Sequence, residues 1–280
     1  MNAQEHPLGI SFEFFPPNTA AGRDKLVTVR DALANRQPRF FSVTYGAGGS
    51  TQQRTLSTVR AVRESGINTA PHLSCIGSER GMLRDVLAQF REDGIDSLVA
   101  LRGDLPSGMG GIGELRYANE LVEFIRNETG DHFEIAVAAY PESHPQAENF
   151  ERDVQHFVRK MNAGANLAIT QYFFNADSYF HFVERVRALG VEAPIVPGIM
   201  PITNYSKLAR FSDSCGAEIP RWIRKQLESY GDDSESISAF GEEVISSLCQ
   251  RLLDGGAPGL HFYTLNQAGP VLKVIDNITG

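Results

Sequence analysis

Residues 11–17 read SFEFFPP, an apolar strand pattern that carries one acid and is stopped by two prolines. Side chains of a strand alternate between its two faces, so Phe12 and Phe14 share one face and Glu13 lies on the other. No cationic residue stands beside Glu13 in the sequence. Two interpretations are open. Either Glu13 faces solvent at a sheet edge, or a largely apolar pocket holds it, where desolvation penalises the ionised form and raises its pKa.

Apolar runs of the same kind recur along the whole chain and predict about eight strands. They lie at 9–15, 40–44, 69–73, 97–101, 134–139, 167–172, 195–199 and 260–263. Segments with helical spacing separate them, at 24–35, 52–65, 82–93, 118–127, 146–163 and 178–189. This alternation predicts an α/β protein with a single (β/α)8 TIM barrel over residues 1–280 and extra helices within 204–254. A doubly wound sheet is the alternative.

Composition excludes several classes of function. The 26 basic and 34 acidic residues give a net charge of −8, whereas a nucleic-acid partner requires a basic surface. No apolar run approaches the ~20 residues of a membrane helix, and the N-terminal MNAQEHPLGI lacks a secretion signal, so we expect a cytoplasmic protein. Cys75, Cys215 and Cys249 form no C-x-x-C pair, which argues against a disulfide framework or a metal site.

The loops that follow the strands of a barrel build its active site. Reactive and polar side chains gather at these positions in the sequence, and they are Glu13, Thr44, Tyr45, His72, Arg102, Asp104, Tyr140, His144 and Gln171. A chance distribution would scatter them more evenly along the chain. The pattern therefore favours a small-molecule site at the carboxyl ends of the strands.

Three motifs at these positions are each ambiguous alone. In LRGDLP (101–106), Arg102 and Asp104 flank a glycine that permits close backbone approach to a ligand, but a surface ion pair would look the same. In AAYPESHP (138–145), His144 is directed either to the barrel mouth or into a structural contact. In ITQYFF (169–174), Gln171 is either a ligand contact or a hydrogen-bonded interior amide.

Two glycine-rich stretches imitate nucleotide-binding loops. GMGGIG (108–113) matches G-x-G-x-x-G, but several residues separate it from the preceding strand, so the strand–turn–helix context of a dinucleotide fold is missing. GAGGS (46–50) is not followed by the lysine that a P-loop requires. We interpret both as ligand-facing or mobile loops.

The ordered set SFEFFPP, SVTYGAGGS, HLSC, LRGDLP, AAYPESHP, AGANLAITQYFF, PGIMPITN and HFYTLN resembles the methylenetetrahydrofolate reductase family from about residue 10 to 266. The resemblance implies a flavoprotein of one-carbon metabolism and methionine supply, with non-covalent FAD. In that family NADH or NADPH reduces the flavin, which then reduces methylenetetrahydrofolate to methyltetrahydrofolate at the same site. The resemblance also suggests a homo-oligomer.

The resemblance further implies roles for individual residues. Glu13 matches the general acid that opens the methylene bridge, a step in which a positioned acid contributes ~10²–10⁴ in rate. Asp104 matches a second chemical residue near the flavin ring. The implied flavin contacts are Thr44, His72, Arg102, Gly103, Asp104, Ala118, Tyr140, His144, Ala147, Asp153 and Lys160. The implied substrate contacts are Glu13, Asp104, Gln171, Phe211, Lys207 and Gln267.

Three positions depart from the family pattern. His156 stands where some relatives have Asn, Lys207 where some have Gln, and Gln267 where Arg is common. A neutral Gln267 predicts altered affinity for the anionic folate tail. The chain ends at Gly280, without the regulatory region of eukaryotic relatives, so inhibition by S-adenosylmethionine is not expected.

Two rival functions share these features. One is another flavin barrel, such as a proline-dehydrogenase-like oxidase, and the other is a catalytically silent folate- or flavin-binding protein. Substrate assays and a flavin-binding measurement distinguish them from the leading hypothesis.

Overall fold

A computed structural model of the chain describes residues 8–45, 49–103 and 113–280. Its strands are β1 Ile10–Phe14, β2 Phe40–Val43, β3 Thr69–Ser74, β4 Ser97–Leu101, β5 Glu134–Ala139, β6 Leu167–Thr170, β7 Ile195–Val196, β8 Gly198–Ile199 and β9 Leu260–Tyr263. Its helices are α1 Ala20–Ala34, α2 Gly49–Arg63, α3 Arg80–Glu92, α4 Ala118–Thr129, α5 Phe150–Asn162, α6 Ala176–Ala188, α7 Tyr205–Cys215, α8 Arg221–Tyr230, α9 Ser234–Asp254 and α10 Gly269–Thr279. The predicted alternation and the extra helices before the last strand are confirmed.

The parallel sheet curves into a barrel. Its strand order is β7-β6-β5-β4-β3-β2-β1-β9-β8, and the terminal strands β7 and β8 are separated in sequence only by Pro197. Together they form one interrupted barrel strand, in which β7 pairs with β6 and β8 pairs with β9. The prediction of a TIM barrel is thus confirmed, and the doubly wound alternative is excluded.

Polar caps determine where several helices begin after their loops. The side chains of Thr19, Asn149, Asn175, Asn204 and Asp233 accept backbone N–H groups in the first turns of α1, α5, α6, α7 and α9, as expected for N-cap residues. The predicted helix over 146–163 therefore begins only at Phe150, because Asn149 caps it. The preceding residues remain in the loop after β5, where they can reach the site.

Strand alternation creates two separate apolar layers. Phe12 and Phe14 of β1 point outward into the large core between the strands and the helices, and both are fully buried. A smaller cluster fills the inside of the barrel and consists of Phe40, Ala70, Val99, Ala136, Leu167, Ile169 and Val196. Glu13 stands between Phe12 and Phe14 in the sequence and therefore faces this interior. Among the described residues, no helix has the length and apolar character needed to cross a membrane.

Candidate functional site

A cavity of about 500 Å³ opens where the strands end at their carboxyl termini. Eight of the residues expected from the sequence line it, namely Glu13, Thr44, Tyr45, His72, Gly103, Tyr140, Gln171 and Phe211. They come from seven different segments of the chain, and the barrel brings them together. The interpretation of Glu13 as a solvent-facing edge residue is excluded, because its side chain is only 16% exposed.

Glu13 is surrounded by polar groups from three neighbouring strands. Its Oε2 atom lies 3.2 Å from His72 Nε2 on β3 and 3.5 Å from His261 Nε2 on β9. The Ser42 hydroxyl on β2 donates to the same oxygen at 3.4 Å. The Nε2 atoms of His72 and His261 are both buried, and neither has hydrogen-bond geometry toward any described group. They therefore retain bonding capacity for a ligand or for a small movement of the carboxylate.

This environment corrects the expected acidity of Glu13. Burial raises the pKa of Glu13, as anticipated, but attraction to His72 and His261 more than offsets burial and brings the pKa to about 2. The prediction of a raised pKa is therefore wrong for the protein without ligand. The histidines that favour the ionised form of Glu13 are distant in sequence and become its neighbours only when the strands pair, so the sequence around Glu13 does not reveal them.

His261 is a residue of this site to which the sequence reasoning assigned no role. Its ring is fully buried, stacks on Phe40 with centroids 5.8 Å apart, and lies with Nδ1 2.8 Å from Ser11 Oγ. One signal could have found it. In HFYTLN, His261 and Tyr263 alternate with Leu260 and Phe262, which places them on the inner face with the acid.

The loop after β9 fixes the end of β1 and hence the position of Glu13. The Thr264 hydroxyl donates to the Glu13 carbonyl at 2.6 Å, and the Asn266 amide exchanges hydrogen bonds with the backbone of Phe15 at 3.1 and 2.9 Å. Leu265 and Asn266 adopt φ values of 50° and 53° to make this turn. The motifs SFEFFPP and HFYTLN thus form one unit, although they stand at opposite ends of the chain.

Gly103 forms a close wall of the cavity. Its φ is 83°, and an added Cβ would lie 2.9 Å from Ser74 Cβ and 3.0 Å from Ile76 Cγ2. Only glycine fits this backbone without strain. Arg102, its neighbour, is half-buried and donates from Nε to the Gly103 carbonyl at 3.1 Å, so the loop presents backbone toward the cavity.

A chain of contacts leads from the cavity to α5. The rings of Tyr140 and His144 are 4.6 Å apart, and the His144 N–H donates to Asp153 Oδ2 at 2.7 Å. Asp153 attracts the ammonium of Lys160, which donates to the carbonyl of the cavity-lining residue Ala138. Burial lowers the pKa of Lys160 to about 8, and the charge of Asp153 opposes this change. Four expected flavin contacts are therefore connected in space.

Aromatic residues and a thiol form a further part of the cavity lining. Tyr263 donates to the Thr170 carbonyl at 2.7 Å, and burial raises its pKa well above the ordinary value. The Tyr172 hydroxyl lies 3.0 Å from Ser212 Oγ and accepts from Cys215 Sγ at 3.4 Å. Phe211, on the same helix α7 as Cys215, is 48% exposed at the opening. Neither Tyr172 nor Cys215 is assigned a role in the site from the sequence.

Comparison with known proteins identifies the family. The methylenetetrahydrofolate reductase family model matches residues 2–279. The 5,10-methylenetetrahydrofolate reductases of Pectobacterium carotovorum subsp. carotovorum and Escherichia coli K12 are 40% and 39% identical over 262 residues, covering 93% of this chain and 87% of theirs. The chain belongs to the methylenetetrahydrofolate reductase family.

Other relatives extend this similarity. The probable methylenetetrahydrofolate reductase (NADH) of Oryza sativa subsp. japonica is 37% identical over 96% of this chain and 48% of its own length. Among solved structures, an uncharacterised Clostridium thermocellum protein that binds two copies of 5-methyl-5,6,7,8-tetrahydrofolic acid has a TM-score of 0.70 at 16% identity, covering 96% of this chain and 93% of its own. At that identity the structural likeness supports the barrel fold alone.

Several expected contacts of this reductase-family chain lie away from the cavity lining. Ala118 begins α4, and Ala147 donates its N–H to the His144 carbonyl at 2.8 Å. Lys207 is exposed in the first turn of α7, and Gln267 follows the turn after β9. His156 is exposed on α5. Asp104 lies outside the described residues, as do parts of both glycine-rich loops, 46–48 and 108–112.

Proposed function

We propose that this protein is an FAD-dependent methylenetetrahydrofolate reductase that uses NADH or NADPH to reduce methylenetetrahydrofolate to methyltetrahydrofolate. The observation that carries the proposal is the convergence of Glu13, His72, Gly103, Tyr140, Gln171 and Phe211 on one cavity in a chain of the reductase family. The name of the rice relative supports NADH as one donor.

The cavity has features that fit a flavin. Its lining combines flat apolar surface from Val99, Leu101 and Ile169 with a few polar groups, which is the usual composition of a cofactor pocket. Gly103 permits backbone approach. His72 Nε2 is a buried polar atom that lies 3.2 Å from Glu13 Oε2 and has no hydrogen-bond partner among the described residues. Bound FAD would supply the hydride relay between the nicotinamide and the folate.

Charged groups beyond the cavity fit the remainder of that cofactor. Lys160 and Arg102 are the cations that would counter the pyrophosphate, and Tyr140 with His144 would pack against its rings. Thr44, Ala118, Ala147 and Asp153 are proposed as further contacts from the family pattern. Asp104 is proposed to tune the flavin and to stabilise cationic character on the substrate.

Glu13 is proposed as the general acid that protonates the leaving nitrogen of the methylene bridge. The carboxyl is located in the cavity beside the expected flavin contacts, but its pKa of about 2 without ligand means that it holds no proton of its own at neutral pH. A neighbouring group must therefore supply the proton, or the arriving substrate must displace water and raise the pKa of Glu13.

The substrate contacts are proposed around the opening. Gln171 would bind the pterin edge, and exposed Phe211 would stack on nicotinamide and folate in turn. Gln171 Oε1 already accepts the Tyr172 N–H at 3.0 Å, which orients the amide. Lys207 and Gln267 would meet the outer part of the folate.

The test follows each half-reaction separately. Purified protein is titrated with FAD, reduced anaerobically with NADH or NADPH in a stopped-flow instrument, and then mixed with methylenetetrahydrofolate. We expect flavin binding, bleaching by a nicotinamide and reoxidation by the folate. Protein that binds no FAD, or whose flavin is reduced by proline and by neither nicotinamide, would refute the proposal. Flavin binding without turnover would instead identify a silent binding protein.

A further inference from the structure

Two imidazoles contact the Glu13 carboxylate, and their surroundings differ. His72 lines the cavity, where a bound ring system would reach it. His261 does not line the cavity, and its ring is 0% exposed. A proton on His72 can therefore exchange with a ligand, whereas a proton on His261 Nε2 faces the Glu13 carboxylate.

The partners of His261 restrict how the ring can carry protons. Nδ1 lies 2.8 Å from Ser11 Oγ, Phe40 covers one ring face, and the edge of Tyr263 approaches with centroids 5.4 Å apart. The backbone N–H of His261 is occupied by the Pro197 carbonyl. Nε2 lies 3.5 Å from Glu13 Oε2 and has no hydrogen-bond partner in the described part of the chain.

We propose that His261, held by Ser11, is an internal proton reservoir, that is, the group that protonates Glu13 during folate reduction. This inference rests on the proposed function for its catalytic consequence, but its protonation chemistry can be observed without turnover. His261 acts through Glu13 and is therefore a positioning residue.

The proton balance of the step is simple. In the charged ring, Nδ1–H donates to Ser11 Oγ and Nε2–H faces Glu13. The Nε2–H bond of His261 first breaks as the Oε2–H bond of Glu13 forms. That O–H bond then breaks as an N–H bond forms on the substrate nitrogen, which returns Glu13 to the carboxylate. His261 is left neutral with its remaining proton on Nδ1, the form that Ser11 stabilises as an acceptor.

The charged and titratable groups that face His261 are few among the described residues. Glu13 on β1 is the anion, His72 on β3 reaches the same oxygen from the other side, and Tyr263 on β9 is the remaining titratable neighbour. Ser11 and Ser42 are neutral, and Phe40 is apolar. Glu13 is thus the group through which a proton on His261 can reach the cavity.

The first experiment is nuclear magnetic resonance of the full-length protein with ¹⁵N-labelled histidine rings. The His261 signals are assigned by their loss in His261→Gln. Spectra are recorded between pH 5 and 9. We expect Nδ1 to carry the proton of the neutral ring, and we expect Glu13→Gln to change the proton occupancy of Nε2. His132, bonded to the Ile95 carbonyl away from the cavity, is the internal reference. The proposal would be overturned if the neutral ring carried its proton on Nε2 and not on Nδ1. It would also be overturned if the His261 signals were unchanged in Glu13→Gln.

The second experiment measures the two half-reactions of FAD-loaded His261→Gln across the same pH range. We expect folate-dependent reoxidation to slow at least ~10-fold and to change its pH profile, while reduction by the nicotinamide stays within about twofold. Ser11→Ala, which keeps the imidazole, should show a smaller slowing of the same step. Ser97→Ala, a buried strand serine away from Glu13, should behave as the unmodified protein.

The outcomes separate the two proposals. An unmodified protein that cannot reduce methylenetetrahydrofolate would refute the proposed function, and the histidine spectra would still decide the state of His261. A normal reoxidation rate and pH profile in both His261→Gln and Ser11→Ala would refute the reservoir while leaving the proposed function intact.

Discussion

The inner surface of the barrel has two walls of different composition. Strands β1, β2, β3 and β9 turn inward the polar residues Ser11, Glu13, Ser42, His72, His261 and Tyr263, together with the apolar Phe40 and Ala70. Strands β4 to β7 turn inward an apolar set made up of Val99, Leu101, Ala136, Ala138, Leu167, Ile169 and Val196. The same fold position, an inward strand residue, thus carries mostly polar side chains on one wall and apolar side chains on the other.

The division follows from the order of strands in the sheet. Because β9 pairs with β1, the first and last strands of the chain are neighbours, and the polar residues of β1 to β3 and β9 form one continuous patch. The opposite wall presents smooth apolar surface, against which a flat ring can lie. Substitutions on the two walls should therefore produce different kinds of defect.

The largest effect is expected at the acid of the polar wall. Glu13→Gln removes the transferable proton and should slow folate-dependent flavin reoxidation by ~10²–10⁴, with reduction by NADH changed by no more than a few-fold. Anaerobic stopped-flow measures both rates. Glu134→Gln, a strand glutamate at the opposite barrel end, is the matched control. Equal losses in both half-reactions would mean that Glu13 acts on flavin binding instead of proton transfer.

The next effect should appear in stability and not in chemistry. Leu167, on the apolar wall, is 5% exposed, so Leu167→Ala should lower the free energy of unfolding by about 2–5 kcal/mol through lost burial and a residual cavity. Ser42→Ala on the polar wall removes only a long hydrogen bond and should cost about 1 kcal/mol or less. Urea denaturation compares them. A loss in Ser42→Ala as large as that in Leu167→Ala would contradict the division into walls.

The sequence predicts the barrel well because strand and helix periods are local signals. It also predicts that Glu13 lies opposite Phe12 and Phe14, since alternation is local too. It does not predict the acidity of Glu13, because His72 and His261 approach only through pairing of β1 with strands distant in sequence. The sequence shows a proline at position 197, but it does not show that β7 pairs with β6 while β8 pairs with β9. That pairing depends on closure of the sheet into a barrel.

The cation beside the apolar wall gives a smaller, pH-dependent effect. Burial lowers the pKa of Lys160 to about 8, and a bound phosphate would favour its charged form and raise that pKa. FAD binding should then take up a proton, so affinity should fall as the pH rises above about 8. Lys160→Met should weaken FAD binding about tenfold at pH 7 and flatten this dependence.

Fluorescence titrations of FAD between pH 7 and 9 measure this effect. Lys25→Met, at an exposed position on α1, provides the control and should keep the pH dependence of the unmodified protein. If Lys160→Met retained the same decline in affinity with pH, another group would have to carry the proton.

The smallest effect is expected at the outer rim of the polar wall, where Gln267 follows β9. Its N–H donates to the Thr264 carbonyl at 2.9 Å, so the backbone position is fixed while the half-buried side chain stays neutral. Gln267→Arg should attract the anionic folate tail and lower KM a few-fold at low salt, with kcat unchanged, because the tail is bound equally before and during the reaction. Salt should remove the gain, since exposed charges are screened. Gln267→Met controls for side-chain length, and a KM gain that persists at high salt would show that packing at the rim, not charge, sets affinity there.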